Sequence, residues 1–342
     1  MPTAYVTHPR YVDHTMTGHP EHAGRVEAIW SLLDETGLAA RMARMTPEQA
    51  SDEQILAVHT RDHLTLLNRV HHEKLFAQYD SDTYLNPMSP EVARLAAGGA
   101  VMAVDQVATG AADNALAVVR PPGHHAIPGR GMGFCLLGNI AIAARHAQRA
   151  YQMDRVMIVD YDVHHGNGTQ DMFYDDDTVL FLSTHQYPYY PGTGSLGETG
   201  SGRGESYTIN IPLPTGHGDD SYDAIYDMIV RPAAARFKPD LMLVSAGFDA
   251  HWHDPLAGMR LSLTGYANLT RKLIDMAADL CGGRIVFVLE GGYELGVLAH
   301  GVSNVAHALL SDDDIGDPVG KHPGDDRDVS DLIARVRNVH NL

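Results

Sequence analysis

Short apolar runs, rich in β-branched residues, recur along the chain with long stretches of helical spacing between them. A strand that is apolar on both faces must be covered on both faces, and the intervening helices are the elements available to do it. The alternation therefore predicts an α/β fold: a parallel sheet with crossover helices. Strands are predicted at 115–119, 156–160, 179–183, 207–211, 241–245 and 285–289, and helices at 20–36, 60–73, 90–109, 138–152, 220–237 and 264–280. Start signals support several helices. Ser89 precedes Pro90 and Glu91, Asp219 and Asp220 precede an amphipathic run, and Thr264 stands as a cap ahead of Tyr266, Leu269, Leu273 and Ile274.

No Ser/Gly/Pro linker interrupts this pattern and no internal repeat marks a solenoid, so one domain over residues 1–342 is expected. The glycine-rich stretch 192–205 reads as a mobile loop, because strand-like sequence resumes directly after it. Residues 311–342 are expected to be peripheral: an acidic Gly/Pro-bearing segment to 328, then a short helix from Val329.

Charge narrows the partners. The formal net charge is −18, which opposes a phosphate backbone, so no direct nucleic-acid contact is expected, whereas a cationic substrate is electrostatically acceptable. Two cysteines, Cys135 and Cys281, cannot form a disulfide framework, and the first residues, MPTAYVTHPR, lack the apolar core of a signal peptide. No run reaches the roughly 18 apolar residues of a membrane span. A soluble cytoplasmic protein is the expectation, with a homo-oligomer left open.

The polar residues concentrate where the strands end. In open α/β sheets, ligands bind beyond the carboxyl ends of the strands. Five predicted strands run into RPPGHHA at 120–126, DYDVHHGNG at 160–168, STH at 183–185, SAGFDAH at 245–251 and EGGY at 290–293. Asp160, Asp162 and His164 alternate, and in extended chain that spacing projects them to one side. Asp162 and His164 with Asp249 from another strand make a three-ligand site for zinc or another divalent ion, with two carboxylates balancing its charge. For a lone Asp-x-His, capping of the next helix is the plainer reading. Five loaded strand ends outweigh it, because clustered buried carboxylates need an ion or a dense hydrogen-bond network.

His124 and His125 can divide proton transfer between them if a carboxylate such as Asp160 raises the basicity of one. Tyr293 follows Gly291 and Gly292, whose flexibility allows close approach to a reacting centre, and its phenol could stabilise an oxyanion. Cys135 reads as a buried filler, and His146, His185 and His217 as incidental histidines.

RPPGHHA, GFC, DYDVHHGNGTQ, LSTHQYPYYPGTG, SAGFDAHWHDPL and VLEGGY, in this order, resemble the histone deacetylase family over nearly the whole chain. DYDVHHGNGTQDMF and DPLAGM resemble its class II and bacterial amidohydrolase-like branch, beside the acetylpolyamine amidohydrolases. The resemblance implies an arginase/deacetylase-like three-layer α/β/α fold on an eight-stranded parallel sheet, two strands more than the apolar runs predict. It implies Zn2+ on Asp162, His164 and Asp249, with Fe2+ as the alternative occupant. His125 backed by Asn167 becomes the general base, His124 held by Asp160 its partner, and Tyr293 the group that polarises an acetyl carbonyl. Gly133, Phe134, Tyr190, Leu256 and Gly292 are implied to line the substrate tunnel, and Asp80 to accept substrate amides at its rim. A structural K+ is implied at Asp160, Asp162, His164, Ser183 and Thr184, and a second near Phe173, Asp176, Val179 and Tyr207.

The implied activity is hydrolysis of an acetyl group from acetyl-lysine in a peptide or protein. Leu256 stands where polyamine-preferring class II relatives place Glu, which disfavours an acetylpolyamine substrate without excluding it. A non-catalytic acyl-lysine reader is disfavoured by the full set of ligands, histidine pair and tyrosine.

Overall fold

The computed structural model describes residues 2–342. Ten strands are formed: β1 (Thr3–Val6), β2 (Ala43–Met45), β3 (Ala77–Gln78), β4 (Tyr84–Leu85), β5 (Asn114–Ala117), β6 (Val156–Asp160), β7 (Val179–Gln186), β8 (Thr208–Leu213), β9 (Leu241–Ala246) and β10 (Ile285–Leu289). Eight of them make one sheet in the order β2-β1-β5-β10-β9-β6-β7-β8, every pairing parallel, while β3 and β4 form a small antiparallel hairpin. The central strands β6, β7, β9 and β10 are buried at every position, as strands covered on both faces must be.

The helices are α1 (Gly24–Glu35), α2 (Asp52–Ile55), α3 (Arg61–His72), α4 (Ser89–Ala108), α5 (Asn139–Tyr151), α6 (Asn167–Phe173), α7 (Asp219–Ile225), α8 (Arg231–Phe237), α9 (Leu263–Cys281), α10 (Leu295–Leu309) and α11 (Ser330–His340). α4 packs on α5 and against β1 and β5; α1 and α9 flank α10, which also meets β5. The result is the three-layer α/β/α arrangement, with the main hydrophobic core on the two faces of the sheet.

All six predicted strands are present, β6 and β10 with the predicted ends and β5, β7, β8 and β9 with shifted ones. β1 and β2 were not legible: they are four and three residues long, and β2 lies at the edge of the sheet. The predicted helix at 220–237 is continuous in sequence but is interrupted by a π-helical turn, Tyr226–Val230, between α7 and α8. Two caps differ from expectation. Met88, not Ser89, precedes α4, and the Ser89 hydroxyl instead accepts from Asn86 N (2.8 Å) and pairs with His14 Nδ1 (2.7 Å). Ser262, not Thr264, caps α9 by accepting from Gly265 N (3.0 Å).

The loop 192–205 is fastened rather than free: Glu198 accepts from Gly194 N (3.0 Å), Ser195 N (2.9 Å) and Gln170 Nε2 (2.8 Å). The acidic segment is stitched down as well. Asp326 accepts from Gly218 N (2.7 Å) and Ser221 N (2.8 Å) at the start of α7, and Gly320 O accepts from Trp252 Nε1 (2.9 Å).

Candidate active site

The sheet order makes β6, β9 and β10 adjacent, and β5 the next neighbour of β10. Their carboxyl ends therefore bring 120–126, 160–168, 245–251 and 290–293 to one place. Beyond β6 the chain turns on its own side chains: Asp160 Oδ1 accepts from Asp162 N (3.1 Å) and Asp162 Oδ1 from His164 N (2.9 Å). Asp249 Oδ1 accepts from Val163 N (2.9 Å), and Asp162 Oδ2 from Gly291 N (2.8 Å), which ties the ends of three strands together.

These bonds aim Asp162 Oδ1 and Asp249 Oδ2 at His164 Nδ1, each at 3.1 Å. That spacing is close to the edge of a tetrahedron with metal–ligand bonds of about 2.0 Å. A Cβ at Gly247 or Gly291 would run into these carboxylates, so both glycines keep the cradle open. Burial opposes a charge on His164, but the two carboxylates outweigh it and push its pKa up to about 10. Two buried carboxylates converging on one imidazole nitrogen call for a cation, and the donor set fits a zinc-like divalent ion.

The histidine pair is differentiated as the sequence suggests. His124 Nδ1 lies 3.0 Å from Asp160 Oδ2; against the opposing effect of burial, the charges of Asp162 and Asp160 raise its pKa to about 10. His125 Nδ1 lies 2.8 Å from Asn167 Oδ1, while Asn167 Nδ2 faces Met132 Sδ (3.4 Å). That orientation assigns the His125 proton to Nδ1 and leaves Nε2 with a free lone pair. Burial and the neighbouring His124 and His164 charges hold His125 well below the ordinary histidine range, so it is neutral and ready to accept a proton.

Glu290, to which the sequence reading gave no role, lies under this pair. Its Oε2 accepts from Gly123 N (2.7 Å) and His124 N (3.1 Å), and burial pushes its carboxyl up to about 7. A buried ionic triad was also missed. Arg25 donates to Gly292 O (2.7 Å) and Glu290 O (2.6 Å) and pairs with Glu21 (3.2 Å). Arg120 grips Glu21 through Nε (2.5 Å) and Nη2 (2.8 Å) and donates to Tyr11 O (2.6 Å). The Arg25 guanidinium also sits 5.0 Å from the Tyr293 ring centroid. Burial pushes the Tyr293 phenol well above its ordinary pKa, keeping it a protonated donor.

A cavity of about 220 Å³ opens onto these groups, lined by Asp82, His125, Gly133, Phe134, His164, Tyr189, Tyr190, Leu256 and Tyr293. Phe134 meets Tyr293 edge-on at 5.7 Å, and Tyr190 meets His125 edge-on at 5.2 Å, so the walls are aromatic as expected. Tyr189 was missed; it stacks on His164 at 5.8 Å and donates to Leu256 O (2.7 Å). Its neighbour Tyr190 was the only signal for it. Asp80 Oδ1 accepts from Asp82 N (3.0 Å) and Thr83 N (2.7 Å) and so shapes the turn, and of the two carboxylates it is Asp82 that lines the cavity. Gly133 lines the cavity as expected. Its φ is +55°, and a Cβ there would strike the His125 ring, so the glycine also lets the imidazole come close. Gly292 does not line the cavity; its φ of +117° serves the turn into Tyr293.

Of the residues implied for potassium, Ser183 stands opposite Asp160 in the β6–β7 ladder and Thr184 Oγ1 donates to Asp160 O (3.4 Å). At the second implied site the Asp176 carboxylate is already paired with Arg145 (2.5 Å). His185 is buried between Ser183 Oγ (2.9 Å) and Gly194 O (2.8 Å), His146 pairs with Asp105 (2.6 Å), and His217 with Ser221 Oγ (2.8 Å), all away from the cavity lining.

An all-parallel α/β/α sheet, with a carboxylate–imidazole cluster, a split histidine pair and a phenol at its carboxyl edge, defines a hydrolase of the deacetylase type. The histone deacetylase domain model matches residues 19–309. The chain is 40% identical to histone deacetylase 10, chloroplastic, of Oryza sativa, over 99% of this chain and 81% of that one. It is 43% identical to a probable deacetylase of Archaeoglobus fulgidus, over 86% of this chain and 82% of that one. The crystal structure of the HDA15 HD domain superposes with a TM-score of 0.90 at 35% identity, covering 99% of this chain and 96% of the other. The chain belongs to the histone deacetylase family, and it is an amide deacetylase.

Proposed function

We propose that the protein is a zinc-dependent hydrolase that removes acetyl groups from the ε-amine of acetyl-lysine in peptides or proteins. The convergence of Asp162 Oδ1 and Asp249 Oδ2 on His164 Nδ1 beside the aromatic cavity carries this reading. Asp162, His164 and Asp249 would hold the zinc, which when bound would supply Lewis-acid polarisation of the amide carbonyl and acidify water. The chain's own groups do the rest. Phe134 and Tyr190 grip the aliphatic stem, and neutral His125 takes the proton of the attacking water through Nε2. The Tyr293 hydroxyl donates to the acetyl oxygen as negative charge develops there. An imidazolium of the pair then protonates the departing amine. His124, held by Asp160, adds a fixed positive charge that opposes protonation of His125 at rest and favours the anionic transition state.

A structural potassium ion at Asp160, Asp162, His164, Ser183 and Thr184 belongs to the same reading, supported by the pairing of Asp160 with Ser183 across β6 and β7. A cytoplasmic setting is part of the same proposal; the two buried free cysteines support a reducing compartment. The test is metal content followed by turnover of an acetyl-lysine peptide, acetylated polyamines and longer acyl-lysines. Fastest hydrolysis of acetyl-lysine, with one zinc per chain and loss on chelation, is expected. A preference for acetylpolyamines overturns the substrate, and binding of acetyl-lysine without hydrolysis by the metal-loaded protein makes it a reader.

A further inference from the structure

Tyr293 is delivered by a turn containing two glycines, Gly291 and Gly292, a poor way to fix a side chain unless something outside the turn holds it. Two groups do. Arg25 takes the turn by its carbonyls, at Gly292 O (2.7 Å) and Glu290 O (2.6 Å). On the opposite side the Asp254 carboxylate takes it by its amide: Tyr293 N donates to Asp254 Oδ2 at 2.7 Å.

The other oxygen of the same carboxylate, Oδ1, accepts from Leu256 N at 2.9 Å. Leu256 lines the cavity, and its carbonyl is held in turn by the Tyr189 hydroxyl at 2.7 Å. Asp254 is buried, with 6% of its surface exposed, and its own amide donates to His251 O (2.9 Å), which anchors it to the segment that follows Asp249. One carboxylate thus spans the phenol-bearing turn on one side and a wall of the cavity on the other.

The geometry points to Asp254 as a positioning residue that sets the Tyr293 hydroxyl over the substrate carbonyl and locks it in register with the Leu256 wall. Asp254 is not among the residues that line the cavity, so it acts through the backbone of Tyr293. This inference rests on the assignment of the Tyr293 hydroxyl to the acetyl carbonyl. A carboxylate suits the task because both oxygens accept. Asparagine has the same shape but offers one acceptor, and its amide nitrogen would face an N–H donor.

The test is a double-mutant cycle of Asp254→Asn with Tyr293→Phe, read as kcat and KM on an acetyl-lysine peptide with zinc content measured for each variant. Displacing a catalytic group by about 1 Å costs on the order of a hundredfold, so Asp254→Asn is expected to lower kcat by about ten- to a hundredfold, leaving KM within about threefold. In the Tyr293→Phe background the same change is expected to cost less than about twofold, because there is no hydroxyl left to position. If Tyr293→Phe alone leaves kcat unchanged, the assignment of the phenol fails. If Tyr293→Phe slows turnover and Asp254→Asn slows it equally in both backgrounds, the phenol stands and the positioning role falls. Should Asp254→Asn not yield folded, zinc-loaded protein, Asp254→Glu, which keeps both acceptors on a longer stem, takes its place in the cycle, and additivity there overturns the inference equally.

Discussion

Arg25→Met removes a guanidinium from the interior while leaving an unbranched apolar stem in its place. Three hydrogen bonds go, those with Gly292 O, Glu290 O and the Glu21 carboxylate, and with them the contact of the guanidinium with the Tyr293 ring. Glu21 is not abandoned, because Arg120 still meets it through two nitrogens. The penalty is therefore mainly that of two stranded carbonyls, each costing about 1–3 kcal/mol when buried without a partner. A net loss of about 3 kcal/mol is expected, a large share of a typical 5–15 kcal/mol. Arg120→Met should cost more, about 4–5 kcal/mol, since it strips the buried carboxylate of its two-point partner and strands Tyr11 O. Urea unfolding of the zinc-loaded proteins, with m compared across variants, measures both losses. Turnover of Arg25→Met should also fall with zinc content unchanged, because the turn carrying Tyr293 loses its carbonyl tether. A stability change below about 1 kcal/mol for Arg25→Met at unaltered m would refute the reasoning.

Asn167→Asp places a charge 2.8 Å from His125 Nδ1 and should raise the pKa of that base by about 1–2 units; the acidic limb of kcat/KM against pH moves toward neutrality, and an unmoved limb argues against His125 as the base. Gly291→Ala drives a Cβ into the Asp162 and Asp249 carboxylates at a position without positive φ, so zinc affinity, titrated against a competing chelator, should drop by about 10- to 100-fold. His340 is buried with neither ring nitrogen hydrogen-bonded, and burial lowers its pKa to about 4. Between about pH 4 and 6.5 the unfolded chain therefore binds the proton that the folded chain refuses, so stability is lost as pH falls through that window. His340→Leu should remove that sensitivity, stabilising by up to about 3 kcal/mol near pH 4, and an unchanged pH dependence of thermal unfolding would contradict it.

The sequence disclosed the chemistry more fully than the architecture. Asp162, His164, Asp249, His124, His125 and Tyr293 were legible because each follows a strand whose apolar run marks it, and strand ends are where such a sheet gathers ligands. What depends on a distant partner was not. Glu21, Arg25 and Arg120 look like ordinary charged residues until folding brings positions 99 residues apart into contact. α10 was overlooked because most of it is buried and its polar side is reduced to His300, Ser303, Asn304 and His307. Asp80 and Asp82 lie in one short turn, and only the hydrogen bonds within it decide which carboxylate turns inward.

The strand order also dictates when the site can come into being. β5 and β6 are consecutive strands of the main sheet in the chain, yet β10 and β9 lie between them in it. As the polypeptide emerges from a ribosome, the first half of the sheet has nothing to close against, and two apolar strand edges wait for partners encoded more than eighty residues later. Asp249 and Tyr293 arrive with those late partners. Assembly of the carboxylate–imidazole cluster thus falls at the end of biogenesis, and a chain cut short before β9 is left with an open, aggregation-prone gap where the finished protein has its centre.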